Sequence, residues 1–266
     1  MVKIISWNIN GARGKSMDLL NPDKTFNSES NLGKLIATEK PDIVCFNETK
    51  CQELHTKLFD VLPFKYQTWN CSTIKKGYSG VAIVSNMEFK VLGSIPTLPN
   101  DDEGRSLVVE FGSFILTHVY TPNSGTKMDY RQNIWNQAIY QYFKIGLDME
   151  KPIIYCGDLN VVHTEMDIYN PKYLKEGKMA GTLPFERNDL TQLLELGYLD
   201  IWRHLHPNDK QWTWWNPRVK ARQRDIGWRI DYFLIRQKDL DIVVDSTIHN
   251  NIMGSDHCPI SLVINI

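Results

Sequence analysis

Residues Ile153 to Asn160 read IIYCGDLN, an apolar run that ends in an aspartate and an asparagine one residue apart. Its brevity and its β-branched and aromatic content favour a buried strand over a helix. Six more runs share that character: Lys3 to Trp7, Asp42 to Phe46, Gly80 to Ser85, Leu107 to Tyr120, Ile230 to Ile235 and Cys258 to Ile266. Between them, Asn31 to Lys40 and Tyr130 to Phe143 carry apolar residues at helical spacing. Strands mixed with amphipathic helices predict sheets covered by helices.

The polar ends of these runs repeat the pattern of IIYCGDLN. The first leads into Asn8 and Asn10, and the second into Asn47, Glu48 and Lys50. The stretch from Phe114 to Tyr120 leads to Asn123, and Asp256 and His257 directly precede the last run. If the strands are neighbours in packed sheets, their tips converge on one edge, where rigid scaffolds place their sites. Asp158 and Asn160, two apart, are expected to project from the strand toward one side, with Gly157 giving room for a sharp exit.

Taken singly, Asp-x-Asn is ordinary turn material, and an Asp-His pair or a Glu near a Lys is ordinary surface. Their recurrence at successive strand tips points to a site. Carboxylates and carboxamides with one histidine, and no thiolate cluster beside them, suit a hard cation such as Mg2+. Asn side chains can hold phosphate oxygens, and Asp or His can move protons. The set fits metal-assisted cleavage of a phosphate ester.

The chain has 266 residues, 42% of them hydrophobic, and a formal net charge of -1. One large domain over 1–266 is the expected organisation, since no linker or repeat divides it. Near-neutral charge excludes a global basic field, so a polyanionic partner requires a local patch. Gln211 to Arg236 provides one, with four tryptophans among arginines and lysines that outnumber its acids. Trp212 and Trp215 are expected in the core, and Trp214 and Trp228 as candidate pocket walls. Five scattered cysteines suit a reduced setting, and no leader or membrane-spanning run is visible. A soluble intracellular protein is expected: nuclear in a eukaryote, cytoplasmic otherwise.

Several local patterns fail on spacing. GARGKS (Gly11 to Ser16) lacks the first glycine of a phosphate-binding loop, where Ile9 stands. GYSGV is not a nucleophile elbow, and His204-x-His206 has no cysteine pair for zinc. His118, inside an apolar run, is read as a satisfied core histidine. Gly14 to Ser30, polar and without pattern, is read as a surface loop.

Motifs from end to end resemble the exonuclease III family of apurinic/apyrimidinic endonucleases, within the endonuclease/exonuclease/phosphatase superfamily. They are SWNINGAR (Ser6 to Arg13), PDIVCFNETKC (Pro41 to Cys51), GYSGVAI (Gly77 to Ile83), EGR (Glu103 to Arg105), YTPNSG (Tyr120 to Gly125), CGDLNVVHTEMDI (Cys156 to Ile168), GWRIDYFLI (Gly227 to Ile235) and GSDHCPISL (Gly254 to Leu262). The resemblance implies a DNase I-like four-layer α/β sandwich. It implies a Mg2+-dependent phosphodiesterase, with Mn2+ as a substitute, that cuts double-stranded DNA 5′ to abasic sites, leaves a 3′-hydroxyl and trims 3′-blocked ends. A monomer that engages no membrane is implied.

By the same resemblance Glu48 is the principal metal ligand, with Asn10 and Asp256 beside it. Asp158 transfers a proton, as base or acid, and Asp231 orients His257 toward the phosphate. Asn8, Asn123, Asn160 and Tyr120 hold phosphate oxygens, Lys50 belongs to the substrate-binding set, and Trp214, Trp228 and Ile230 wall a pocket for a base-less sugar. The chain departs from the family at Asn47, where Gln is usual, and in the longer loop Asn170 to Gly181, where Met179 replaces a common asparagine and no DNA contact is carried over. The rival readings are a phosphoesterase acting on inositol phosphates or RNA, and a catalytically silent DNA-binding relative.

Overall fold

A computed structural model describes residues 1–14 and 18–266, without the side chains of Leu54, His55 and Leu58. Lys15, Ser16 and Met17, part of the expected Gly14 to Ser30 loop and of GARGKS, lie outside the described residues. The rest of that loop carries only a bridge between Leu20 and Phe26.

The strands in chain order are β1 (Val2–Asn8), β2 (Ile43–Asn47), β3 (Tyr66–Asn70), β4 (Val81–Ser85), β5 (Lys90–Gly93), β6 (Ser106–Glu110) and β7 (Ile115–Tyr120). They continue with β8 (Ile153–Asp158), β9 (Tyr198–Asp200), β10 (Trp214–Trp215), β11 (Gly227–Trp228), β12 (Asp231–Arg236), β13 (Val243–Ile248) and β14 (Ile260–Ile264). One six-stranded sheet runs β13-β14-β1-β2-β4-β3 and the other β5-β6-β7-β8-β12-β9, while β10 and β11 form a short ribbon. The pairs β1–β2 and β7–β8 are parallel.

Strand alternation assigns the faces. In β8, Ile154 and Cys156 join the core between the sheets, whereas Ile153 and Tyr155 face the helical side. In β1, Val2 and Ile4 face between the sheets, and Ile5 and Trp7 pack against Leu32 and Leu35 of α1 (Asn31–Glu39). On the far side, Ala138, Ile139 and Phe143 of α3 (Asn136–Leu147) and Leu190 and Leu193 of α5 (Pro184–Glu195) cover β7, β8 and β12. The result is helix, sheet, sheet, helix. Trp7 is wholly buried, and removing such a side chain typically costs about 3–5 kcal/mol.

The run Leu107 to Tyr120 is not one strand. Gly112 and Ser113 turn it into the hairpin β6–β7, because five residues fill the sheet's depth and the glycine–serine pair permits reversal. The expected helix from Tyr130 instead joins α2 (Ser124–Tyr130) through a π-helical turn, Arg131–Trp135, to α3. The loop Asn170 to Gly181 contains a short helix, α4 (Lys172–Glu176), closed by Gly177 at φ +54°.

Gly157 lies within β8, not at its exit. At φ +139° a Cβ there would meet the Val119 carbonyl oxygen of β7 at 1.9 Å, so only glycine allows the parallel pair to close. All five cysteines are free thiols, with only Cys71 part-exposed.

Candidate active site

Two strand tips use the same local device. At the end of β8, the Asn160 N–H donates to Asp158 Oδ1 at 2.8 Å and Asn160 adopts φ +48°. At the end of β1, the Asn10 N–H donates to Asn8 Oδ1 at 3.0 Å and Asn10 also adopts φ +48°. Asn160 therefore reaches Asp158 by a turn that the Asp side chain itself closes, and not by the two-residue repeat of the strand. Short polar side chains tolerate this left-handed backbone.

Asp158 and Asp231 are register partners across β8 and β12, and Tyr120 pairs with Asp158 across β7. His257 arrives beside them on a segment bridged to Trp214 and anchored by the Cys258 N–H to the Thr213 carbonyl. Its Nδ1–H donates to Asp231 Oδ2 at 2.8 Å, and its Nε2 lies 3.7 Å from Asp158 Oδ2. Asp158 also accepts from Asn8 Nδ2 at 2.9 Å.

Burial pushes the Asp158 carboxyl well above its ordinary range. The Asp231 charge reinforces the shift, while His257 and the hydrogen bonds from Asn160 and Asn8 oppose it. Burial works against a charged His257, yet Asp231 and Asp158 outweigh it and raise its pKa to about 10. His257 therefore keeps its charge to higher pH than an ordinary histidine, and Asp158 keeps its proton to higher pH than an ordinary aspartate. Tyr120 is raised by burial and by the Glu48 and Asp158 charges, which keeps its hydroxyl a donor.

A second corner gathers Glu48, Lys50, Asn10 and Asp256. Glu48 and Lys50 leave β2 at φ +53° and +52°, and backbone bonds from Thr49 to Gly80 and from Lys50 to Ser79 hold that turn. This accounts for GYSGV: a Cβ at Gly80 would strike Thr49 Oγ1 at 2.4 Å. Lys50 Nζ donates to Glu48 Oε1 at 2.9 Å and to Asn10 Oδ1. Asn10 Nδ2 in turn donates to Asp256 Oδ1 at 2.9 Å. Despite burial, the His257 charge and the Trp214 and Asn10 hydrogen bonds hold Asp256 below its ordinary range. Hard oxygen donors surrounding an ammonium fit a hard metal cation.

Between the corners lies a cavity of about 320 Å³, walled by Trp214, Trp228 and Ile230 and floored by Asp158, Asn160 and His257. The two indole rings stand 5.1 Å apart at 58°, and Trp214 Nε1 donates to Asp256 Oδ2. Trp212 and Trp215 are buried in the core between the sheets, as expected. Glu48, Tyr120, Asn123 and Asp256 also line the cavity, whereas Asn8, Asn10 and Lys50 stand behind or beside it. Asn8 Nδ2 is engaged by Asp158 and, at 3.3 Å, by Glu48.

The fold that presents these strand tips is shared with known proteins. A family profile described as Endonuclease/Exonuclease/phosphatase family matches residues 5–257. This chain belongs to that family. Within the family, it is 39% identical to an exodeoxyribonuclease of Bacillus subtilis, with all of both chains covered. It is 38% identical to the DNA repair nuclease APEX1 of Danio rerio, over all of this chain and 83% of that one. Among solved structures, the AP endonuclease LMAP of Leishmania major superposes with a TM-score of 0.83 at 25% identity, over all of this chain and 88% of that one. An AP endonuclease of Archaeoglobus fulgidus gives 0.82 at 25% identity with both chains fully covered. The four-layer sandwich is thus the family's DNase I-like fold.

Five residues have places at the site that the sequence reading did not assign. Met179, Ala180 and Gly181 complete the cavity wall, and Gly181 at φ +85° places its backbone against the Trp228 ring. Asn47, shorter than the family's Gln, donates to the Val119 carbonyl and ties β2 to β7 under the site. Arg131 is buried and donates to the carbonyls of Pro122 and Leu159, joining the loops that carry Asn123 and Asn160. Its place in the helical stretch Tyr130 to Phe143 carries no functional signal in the sequence.

Proposed function

We propose that this chain is a DNA-repair nuclease that hydrolyses the phosphodiester 5′ to an abasic site in duplex DNA and leaves a 3′-hydroxyl. Trimming of 3′-blocked ends follows at the same centre, because such an end presents the same phosphate. The carrying observation is the tryptophan-walled cavity placed directly on Asp158, Asn160 and His257. An extruded sugar without a base fits an apolar slot that a complete nucleotide would overfill, and unpaired damage is cheaper to extrude. The names of relatives that match all of this chain support the reading: exodeoxyribonuclease, and DNA-(apurinic or apyrimidinic site) endonuclease in Dictyostelium discoideum at 34% identity over 71% of that protein.

Glu48, Asn10 and Asp256 would hold Mg2+, or Mn2+ in its place, and that ion supplies Lewis-acid stabilisation of charge on the phosphate. His257, fixed as a cation by Asp231, directs Nε2–H toward the phosphate and cannot serve as a base. Asp158 takes the proton of the attacking water, since it is the group whose ionisation lies near neutrality. Asn123 and Asn160, joined by a 3.2 Å hydrogen bond, form a carboxamide rim for phosphate oxygens with the Tyr120 hydroxyl. Asn8 holds Asp158 and Glu48 in register with each other. Trp214, Trp228 and Ile230 receive the sugar. The protein acts as a single domain and a monomer inside the cell. No helix among the described residues is long and apolar enough to cross a membrane.

A duplex oligonucleotide carrying one abasic analogue, with and without Mg2+, tests this. A metal-dependent nick on the 5′ side is expected. Phosphate release from inositol phosphates without nicking transfers the function to that substrate class, and binding without cutting leaves a DNA-binding protein.

A further inference from the structure

The core between the sheets holds a polar layer that the proposed nuclease chemistry does not use. Ser6 and Cys45 are register partners across β1 and β2, and His118 and Cys156 are register partners across β7 and β8. All four are at most 1% exposed. They sit one inward-facing position below Asn8, Asn47, Tyr120 and Asp158, about 7 Å along the strands. His118 Nδ1 lies 3.5 Å from Cys156 Sγ. One ligand atom each from Cys45, His118 and Cys156 lie within 4.8 Å of one another.

The expectation of a satisfied core histidine fails here. Among the described residues, His118 Nε2 and Ser6 Oγ have no hydrogen-bond partner. Each such buried orphan costs about 1–3 kcal/mol, and an orphan in a well-packed core calls for an unseen ion or water, or for a function.

We propose that this layer is a binding site for a thiophilic divalent cation of the zinc type, ligated by Cys45, Cys156 and His118, with the Ser6 hydroxyl beside it. Sulfur and imidazole donors select such an ion and reject Mg2+. Ligand lengths of about 2.3 Å to sulfur and 2.0 Å to nitrogen set donors about 3.5–4 Å apart, so the cluster needs only small shifts. Two thiolates balance the dication and leave the site neutral, which a low-dielectric core requires. Cys45 comes from one sheet and Cys156 and His118 from the other, so the ion staples the sandwich beneath the active site. Because the cluster is closed to solvent, uptake is slow in the folded protein and fast during folding.

Co2+ is the probe, added to folded protein and during refolding from urea, with Mg2+ in excess to occupy the oxygen-lined corner. Sulfur-to-cobalt charge-transfer absorption equivalent to one ion per chain is expected. It should be lost in Cys45→Ala and Cys156→Ala and kept in Cys71→Ala. If the cysteine variants do not fold, His118→Leu keeps both thiols and should shift the absorption while weakening the binding. No sulfur band after refolding overturns the proposal. So does a band that survives Cys45→Ala, or one that disappears in Cys51→Ala or Cys71→Ala and so belongs to that other pair of thiols. Nicking assays decide the nuclease reading separately, since this readout needs no DNA.

Discussion

The Nδ1–H of His257 donates to Asp231 Oδ2 across 2.8 Å, with both side chains almost wholly buried. The pair makes stability depend on pH in a calculable direction. His257 has a folded pKa of about 10 against an ordinary 6.5, so its contribution is complete below 6.5 and is lost as pH rises toward 10. The thermal midpoint of metal-free protein should fall across that window. In His257→Gln the slope should flatten, and an unchanged slope would remove His257 as its source.

Asp158 works in the same direction from lower pH. Its folded pKa is raised, so ionising it costs the folded state more than the unfolded one, and the cost grows as pH rises from the ordinary Asp range to neutrality. Asp158→Asn removes that charge. Turnover should drop by ~10²–10⁴-fold, the usual worth of a positioned proton-transfer group, while the thermal midpoint at neutral pH rises and abasic DNA still binds. Calorimetry and single-turnover nicking together check this. Lost activity with lowered stability would mean that the substitution merely damages the fold.

How much of this was legible beforehand depended on how local each signal was. The convergence of tips at Asn8, Glu48, Asp158 and His257 could be read because each borders an apolar run that reads as a strand, the first three at its end and His257 at its start. Edge strands such as β3 and β13 have no such signature: Val243–Ile248 is half solvent-facing, and its apolar residues are interrupted by polar ones. The link between Asp158 and Asn160 was visible, but its cause was misread, since a left-handed φ cannot be inferred from residue spacing. Arg131 reaches the Leu159 carbonyl and Asn47 the Val119 carbonyl, both distant in sequence, and no pattern in one chain encodes such partners. His118 looked like any core residue until its neighbours across two sheets were known.

Gly157 tests the closeness of β7 and β8. In Gly157→Ala the new Cβ meets the Val119 carbonyl oxygen at 1.9 Å while the backbone stays at φ +139°. Strain and overpacking together should cost about 3 kcal/mol or more. Urea denaturation should show it, and a loss below 1 kcal/mol would mean that the two strands separate easily.

Lys50 occupies the corner where a metal would sit, bridging Glu48 and Asn10. Both partners are partly solvated, so the pair is worth no more than about 1 kcal/mol. Lys50→Met should therefore tighten Mn2+ binding up to about fivefold, as read by titration without DNA, and weaken DNA binding through the lost charge. Unchanged Mn2+ affinity would show that the ammonium does not compete for those oxygens.

Trp228 stands 5.1 Å from Trp214 across the cavity wall, and its ring rests against the Gly181 backbone. Such a ring pair is worth about 0.5–1.5 kcal/mol beyond simple area burial. Trp228→Ala should therefore lower kcat/KM on an abasic duplex by about 2- to 13-fold, with the Mg2+ requirement and pH profile unchanged, because the ring packs on Trp214 and the Gly181 backbone. The discriminating measurement is the ratio of cleavage at an abasic site to cleavage at an intact nucleotide. A wall that excludes bases loses selectivity when opened, so the ratio should fall in the variant. A ratio that stays constant while both rates decline would assign Trp228 to general DNA affinity and leave recognition of the missing base to Trp214 and Ile230.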